Sequence, residues 1–427
     1  MNLLIVNGRV VNPSSGTDAV LDIRVEDGRF AAVAPRLASG TLPMIDATGL
    51  VVVPGLIDMH VHLREPGQDH KETIATGTRA AARGGFTSVC VMPNTDPVND
   101  DRRITELIAE RAAKTAVVRV FPIAAMTRGL RGAELTDMAG LRAAGAIAFS
   151  DDGKCVQDTS VMRHAVTTAS ALGALIIDHA EEEALSRGGV MHAGPTAARL
   201  GLAGIPAAAE ETMVARDILL SERLGAALHL CHLSTAGGAR LVREAKRRGV
   251  PVTAEATPHH LLLTDEHLAG RDANFKMNPP LRSAADVSAL VEAVGDGTID
   301  VFATDHAPHT AEEKAVGIET APFGIVGLET AVPLLLDRIV RPGVISLARF
   351  VEMFSTTPAR LLGLSGKGRI TPGADADLTL LDLRRRVVVD AREFASKGRN
   401  TPFGGWALQG VPAMTIVAGR VVYPFPR

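Results

Sequence analysis

The sequence predicts an α/β fold: a closed barrel of eight strand–helix units, carrying a small β-domain assembled from both chain ends. Three observations predict it. Eight short apolar runs alternate with amphipathic stretches through the middle of the chain. The two ends carry β-branched segments that match each other. Eight of the 13 histidines fall at the ends of the apolar runs, rather than scattering over helices and loops. Strands alternating with helices build parallel sheets, and eight such units close a (β/α)8 barrel.

The N-terminal segment LLIVNGRVVNP (3–13) reads as two β-branched runs around a Gly-containing turn, a hairpin. VLDIRVEDGRFAAVAP (20–35) is a second hairpin, turning at Asp27-Gly28. Near the other end, ADLTLLDLRRRVVVD (376–390) reads as two more strands. MTIVAGRVVYP (414–424) agrees with 3–13 at seven of eleven positions. Chain ends often lie together, so residues 1–53 and 366–427 are expected to form one composite β-sandwich beside a barrel of residues 54–365. The barrel runs are LIDMHV (56–61), TSVCVM (87–92), VVRVFPI (117–123), AIAFS (146–150), ALIID (174–178), AALHLC (226–231), PVTAEA (251–256) and DVFAT (300–304). RITELIAERAAK (103–114), TSVMRHAVTTASALG (159–173) and GGARLVREAKRRG (237–249) are amphipathic helices between them. The seventh and eighth runs are far apart, so a long loop is expected there.

The chain of 427 residues is 46% hydrophobic and 22% charged, with a formal net charge of −3. That balance gives no footing for nucleic acid or an anionic membrane. No apolar run of ~18 residues predicts a membrane span, and the N-terminus lacks a signal-peptide pattern. Cys90, Cys155 and Cys231 are few and widely spaced, as expected of reduced thiols in a cytoplasmic protein.

Barrel chemistry sits at the C-terminal strand ends. There the sequence places His60 and His62, Asn94, Asp151-Asp152, His179, His232, His259-His260, Asp305-His306 and His309. Alternation along a strand turns His60 and His62 to one face. With His179, His232 and two acids they form a nitrogen and oxygen ligand set, suited to a catalytic rather than a structural metal. Cys231 precedes His232, so the same alternation points it away from the metal. Arg64 follows His62 by two residues and faces the same mouth, where a guanidinium grips a carboxylate through two hydrogen bonds.

HVHLREPG (60–67), MPNT (92–95), FSDDG (149–153), HAEE (179–182), HLST (232–235), KMNPPLR (276–282) and TDHAPH (304–309) resemble the dihydroorotases of the amidohydrolase superfamily, most of all the longer bacterial type. The resemblance runs from the first hairpin to the last strand. It implies a TIM-like metal-dependent hydrolase barrel that interconverts N-carbamoyl-L-aspartate and L-dihydroorotate in pyrimidine synthesis, using one or two Zn²⁺. It makes His60 and His62 ligands of a first metal, His179 and His232 ligands of a second, and Asp305 both a ligand and the catalytic acid/base. It puts a bridging carboxylate in FSDDG, with Asp152 the leading choice, Asp151 the other and Lys154 a remote third. It gives the substrate carboxylate to Arg64, Asn94 and His309, and the amide edge to Asn278. It further implies a small-molecule substrate and a homo-oligomer, a dimer, and leaves open association with aspartate transcarbamoylase. A hydantoinase or allantoinase would share the metal ligands, but Arg64, Asn94 and Asn278 argue against either. A non-catalytic dihydroorotase-like partner of the transcarbamoylase would lack ligands that this chain keeps.

Overall fold

The structure, a computed structural model, describes residues 2–424. The chain opens with β1 (Leu3–Asn12), β2 (Thr17–Glu26), β3 (Arg29–Ala34), β4 (Met44–Asp46) and β5 (Val51–Pro54). The barrel follows as β6 (Leu56–Val61), β7 (Phe86–Val91), β8 (Arg119–Ala124), β9 (Ala148–Phe149) and β10 (Leu175–Asp178). A two-stranded ribbon, β11 (Met191–His192) with β12 (Gly204–Ile205), interrupts it. The barrel resumes with β13 (Leu228–Leu230), β14 (Val252–Ala256) and β15 (Val301–Phe302). The chain then returns to the first sheet as β16 (Leu378–Val388), β17 (Ala407–Val417) and β18 (Arg420–Tyr423).

The eight barrel strands pair in parallel in chain order, at or near the apolar runs named above. Closure between first and last is slight: a Val61–His306 bridge, with His62 N donating to His306 O at 2.8 Å. Helices cover the outside. Several begin where a small polar side chain caps the free amides of the first turn: Thr73 before Ile74–Arg83, Asp158 before Thr159–Ala171, Thr235 before Ala236–Arg247. Between β14 and β15 lie the short helix Pro258–Leu262, irregular turns, and the helix Ala284–Gly295.

The terminal strands form one sheet ordered β18-β17-β16-β5-β1-β2-β3, with β4 also on β1. Leu3, Ile5, Ile23, Val52, Leu378 and Ile416 pack together within it, so residues from both ends share one core. Two elements differ from expectation. Residues 3–13 are not a hairpin but the single strand β1. Its two halves have different parallel neighbours, β4 and β5, and the expected turn becomes a bulge between Ile5 and Gly8, with Asn7 at φ 62°. Likewise 376–390 is one strand, β16, whose register shifts between Asp382 and Arg386. The matching C-terminal segment does turn, at Ala418-Gly419, between β17 and β18. Among the described residues no helix is long and apolar enough to cross a membrane.

Candidate active site

The strand ends deliver the singled-out residues to one place. His62, Arg64, Asn94, Asp152, His179, His232, Asn278, Asp305 and His309 line a cavity of about 230 Å³, with Phe323 and Gly324 on its rim. His60 is fully buried at its floor, against Asp152. Such a volume suits a small metabolite.

The donor atoms converge. Asp152 Oδ1 stands 3.3 Å from His60 Nε2, 3.6 Å from His232 Nε2 and 3.7 Å from His179 Nδ1. Asp152 Oδ2 is 3.4 Å from His62 Nε2, and Asp305 Oδ1 is 3.1 Å from the same nitrogen. Two ligands bound at about 2.0–2.1 Å to a tetrahedral ion stand roughly 3.3 Å apart, so these spacings fit shared metal coordination. His60 Nε2 and Asp152 Oδ1 are buried without a hydrogen-bond partner. Buried polar atoms of this kind fit a bound cation.

Other side chains aim the ligands. Glu255 on β14 holds His60 Nδ1 at 2.7 Å and His229 Nε2 at 3.2 Å, and accepts from His232 N at 3.1 Å. Asn94 Oδ1 takes His62 Nδ1 at 2.8 Å. Glu181 lies 3.5 Å from His179 Nε2 and accepts from Asn278 Nδ2 at 2.7 Å. In each case the second ring nitrogen is occupied, which turns the first toward the metal. Sequence reasoning passed over Glu255, although a charged residue inside the apolar run PVTAEA was the available signal. Glu181 lies in HAEE, two residues beyond His179, where the motif alone signals no role for it.

The electrostatics follow from this packing. Burial would lower the His60 pKa, but the charges around it, Asp152 foremost, hold it well above the usual value. Burial also opposes the charge of His179, yet its contact with Glu181 lifts it to about 9. Burial would raise Asp305, but His62 and His60 keep it far below the ordinary carboxylate range. Arg64 is lowered by burial to about 10, so it stays charged at neutral pH. Its Nε donates to Pro308 O at 3.2 Å, and among the described residues no carboxylate lies within ion-pair distance of it. Arg64, His232 and Asp305 all have positive φ, at 62°, 25° and 48°, the kind of backbone strain that gathers at functional sites.

The two aspartates of FSDDG part company. Asp151 Oδ1 accepts from Met126 N and Thr127 N at 2.8 and 3.0 Å, and its other oxygen from the Thr127 hydroxyl. Asp152 faces the histidines, and Lys154 is exposed. Cys231 corrects the alternation argument. Its thiol lies with His60, Asp152 and His232 in a cluster whose candidate ligand atoms are all within 4.8 Å of one another. It shares the inward face with His229, two residues earlier; His232 is the residue that breaks alternation, through its positive φ. His306 turns to Glu72 at 3.4 Å, and His260 Nε2 to Pro279 O at 2.8 Å. His309 Nε2 meets Phe323 O at 2.8 Å and Arg64 Nη2 at 3.4 Å.

Comparison with known proteins agrees. Residues 49–237 match the family model described as dihydro-orotase-like. A dihydroorotase of Pelotomaculum thermopropionicum is 54% identical over 99% of this chain and 98% of its own length. A dihydroorotase of Geobacillus kaustophilus is 53% identical over 94% of each. Among solved structures, the L-hydantoinase (dihydropyrimidinase) of Arthrobacter aurescens superposes with a TM-score of 0.89 at 28% identity, covering 99% of this chain and 96% of its own. A D-hydantoinase from a Thermus species gives 0.83 at 29%, covering 98% and 94%. At about half identity over essentially the whole length, the chain belongs to the dihydroorotase family.

Proposed function

We propose that the barrel mouth interconverts L-dihydroorotate and N-carbamoyl-L-aspartate, and that the resident metal is Zn²⁺, one or two ions per chain. The observation that carries the substrate is Arg64: a buried guanidinium, charged, at the cavity wall, attracted by Asp305 and Asp152 but, among the described residues, with no carboxylate at ion-pair distance. Substrate and product both carry a carboxylate next to nitrogen, and a bidentate pair satisfies it.

His60, His62, Asp152, His179, His232 and Asp305 would hold the metal, which when bound supplies Lewis-acid polarisation of the reacting carbonyl and of water. In hydrolysis Asp305 accepts a proton from the attacking water and passes it to the departing ring nitrogen. In cyclisation it takes the proton from the attacking ureido nitrogen and passes it to the carboxyl oxygen, which leaves as water as the C–N bond forms. Its low pKa keeps it ionised and ready to accept. Asn278 gives Nδ2 to Glu181, and its buried Oδ1 has no partner, so it is free to accept from the substrate N–H. Arg64 holds the carboxylate, with Asn94 and His309 beside it.

The hydantoinases that share the fold make a substrate comparison the deciding test. The kcat/KM of the protein should be at least about 10²-fold higher for dihydroorotate than for dihydrouracil, the same ring without the carboxylate. Equal rates would remove the substrate assignment and leave a cyclic amidase. Chelation should abolish turnover and Zn²⁺ restore it; full activity in verified metal-free protein would end the metallohydrolase reading. The three cysteines are buried and unpaired, which supports a cytoplasmic protein. The dimer and the association with aspartate transcarbamoylase rest on family resemblance, and light scattering of this protein alone and mixed with the transcarbamoylase reads both.

A further inference from the structure

Between β16 and β17 the chain leaves the terminal sheet and runs to the rim of the barrel mouth through residues 389–406. Anchored carboxylates hold it there. Glu329 accepts from Ala395 N and Ser396 N at 2.8 and 3.2 Å. Glu72 accepts from Lys397 N at 3.2 Å and from the Ser396 hydroxyl, and also faces His306, the neighbour of Asp305.

The strap carries Asn400, which is 4% exposed. Its Oδ1 accepts from His309 N at 3.1 Å. Its Nδ2 donates to Ala307 O and to Gly324 O, both at 3.1 Å. Its own carbonyl accepts from Val326 N at 2.9 Å. One amide therefore joins the two loops that carry His309 and the Phe323-Gly324 rim. Their spacing has little slack. Gly324 has φ +125°, and a Cβ there would stand 2.7 Å from Ala307 Cβ and 3.2 Å from His309 Nε2.

We propose that Asn400 is a positioning residue for the carboxylate pocket: reaching over from the C-terminal strands, it sets the spacing of the His309 and Gly324 loops beside which Arg64 receives the substrate. The proposal rests on the dihydroorotase reading. A merely structural cross-link would lower stability without singling out substrate binding, and this difference is measurable.

The test is steady-state hydrolysis of L-dihydroorotate by metal-replete wild type, Asn400→Ala, Asn400→Asp and Asn12→Ala, with metal content and Tm measured on the same samples. Asn400→Ala should raise KM about tenfold, the size of one lost positioning hydrogen bond, with kcat within about threefold and metal content unchanged. Asn400→Asp is nearly isosteric; it keeps the acceptor for His309 N, loses both donors, and should raise KM as well. It carries the test if the alanine variant fails to fold. Asn12, buried among the terminal strands with Nδ2 on Ile370 O at 3.1 Å, reports a comparable cross-link far from the mouth, and its variant should keep the wild-type KM. Wild-type KM in the folded Asn400 variants, or an equal rise in Asn12→Ala, overturns the proposal. A wild type inert toward dihydroorotate overturns the substrate reading itself, a separate result from an active wild type whose Asn400 variants bind normally.

Discussion

Asp305 touches His62 and stays ionised, so its amide analogue keeps the shape and loses the proton acceptor. Asp305→Asn should lower kcat by about 10²–10⁴-fold, the usual contribution of a positioned acid/base. A near-normal kcat would remove it from the chemistry. Arg64 acts earlier, on binding. A charge-assisted hydrogen bond contributes about 1.5–3 kcal/mol, so Arg64→Met should cost dihydroorotate about 10²-fold or more in kcat/KM while leaving dihydrouracil almost unchanged. Equal losses on both rings would contradict a carboxylate role. The neighbouring aspartates make a third comparison. Asp152→Ala should lower metal per chain. Asp151→Ala strands two buried amides, and should cost about 1–3 kcal/mol in denaturant unfolding with metal retained. Metal loss from Asp151→Ala alone would reverse the assignment. At this scale strand alternation made most of the mouth legible: it pairs His60 with His62. It misled at Cys231, because a φ of 25° at the next residue is invisible to a two-residue period.

Elements explain which ligand neighbours were missed. A strand read by its apolar residues hides the inward carboxylate between them, and Glu255 is such a residue on β14, touching both His60 and His229. Removing only its charge tests its part. Glu255→Gln should weaken metal binding about 10–100-fold in chelator competition, as losses of a ligand's orienting partner do. Unchanged affinity would make Glu255 a packing residue only. The same limit applies to the ends of the chain. LLIVNGRVVNP and MTIVAGRVVYP are similar strings with different shapes. The first has strands on both flanks and bulges in place; the second continues β17 into β18 and turns. Local sequence offers a glycine either way, and the neighbours decide its use.

For the molecule as a whole, the buried charges couple metal and proton. In the metal-free protein His179, lifted to about 9, adds stability that is complete below the ordinary histidine pKa and is lost as pH rises through about 9. A metal competes for that nitrogen, so its apparent affinity should fall as pH drops below about 9, and binding should release protons. Calorimetry in buffers of different ionisation enthalpy reads this directly; heats independent of the buffer would refute it. The barrel itself was plain in the sequence, because eight alternating units leave few other folds. The terminal sheet carries a consequence for synthesis. Val52 on β5 pairs with Leu380 on β16, which the ribosome makes only after the entire barrel. At ~5–20 residues per second the wait is on the order of tens of seconds. Throughout it, Val51, Val52 and Val53 form an apolar strand with one edge unpaired, an invitation to pair with another nascent chain. A chain interrupted before β16 would therefore carry every metal ligand and still aggregate: the final strands serve the enzyme by ending its adhesiveness.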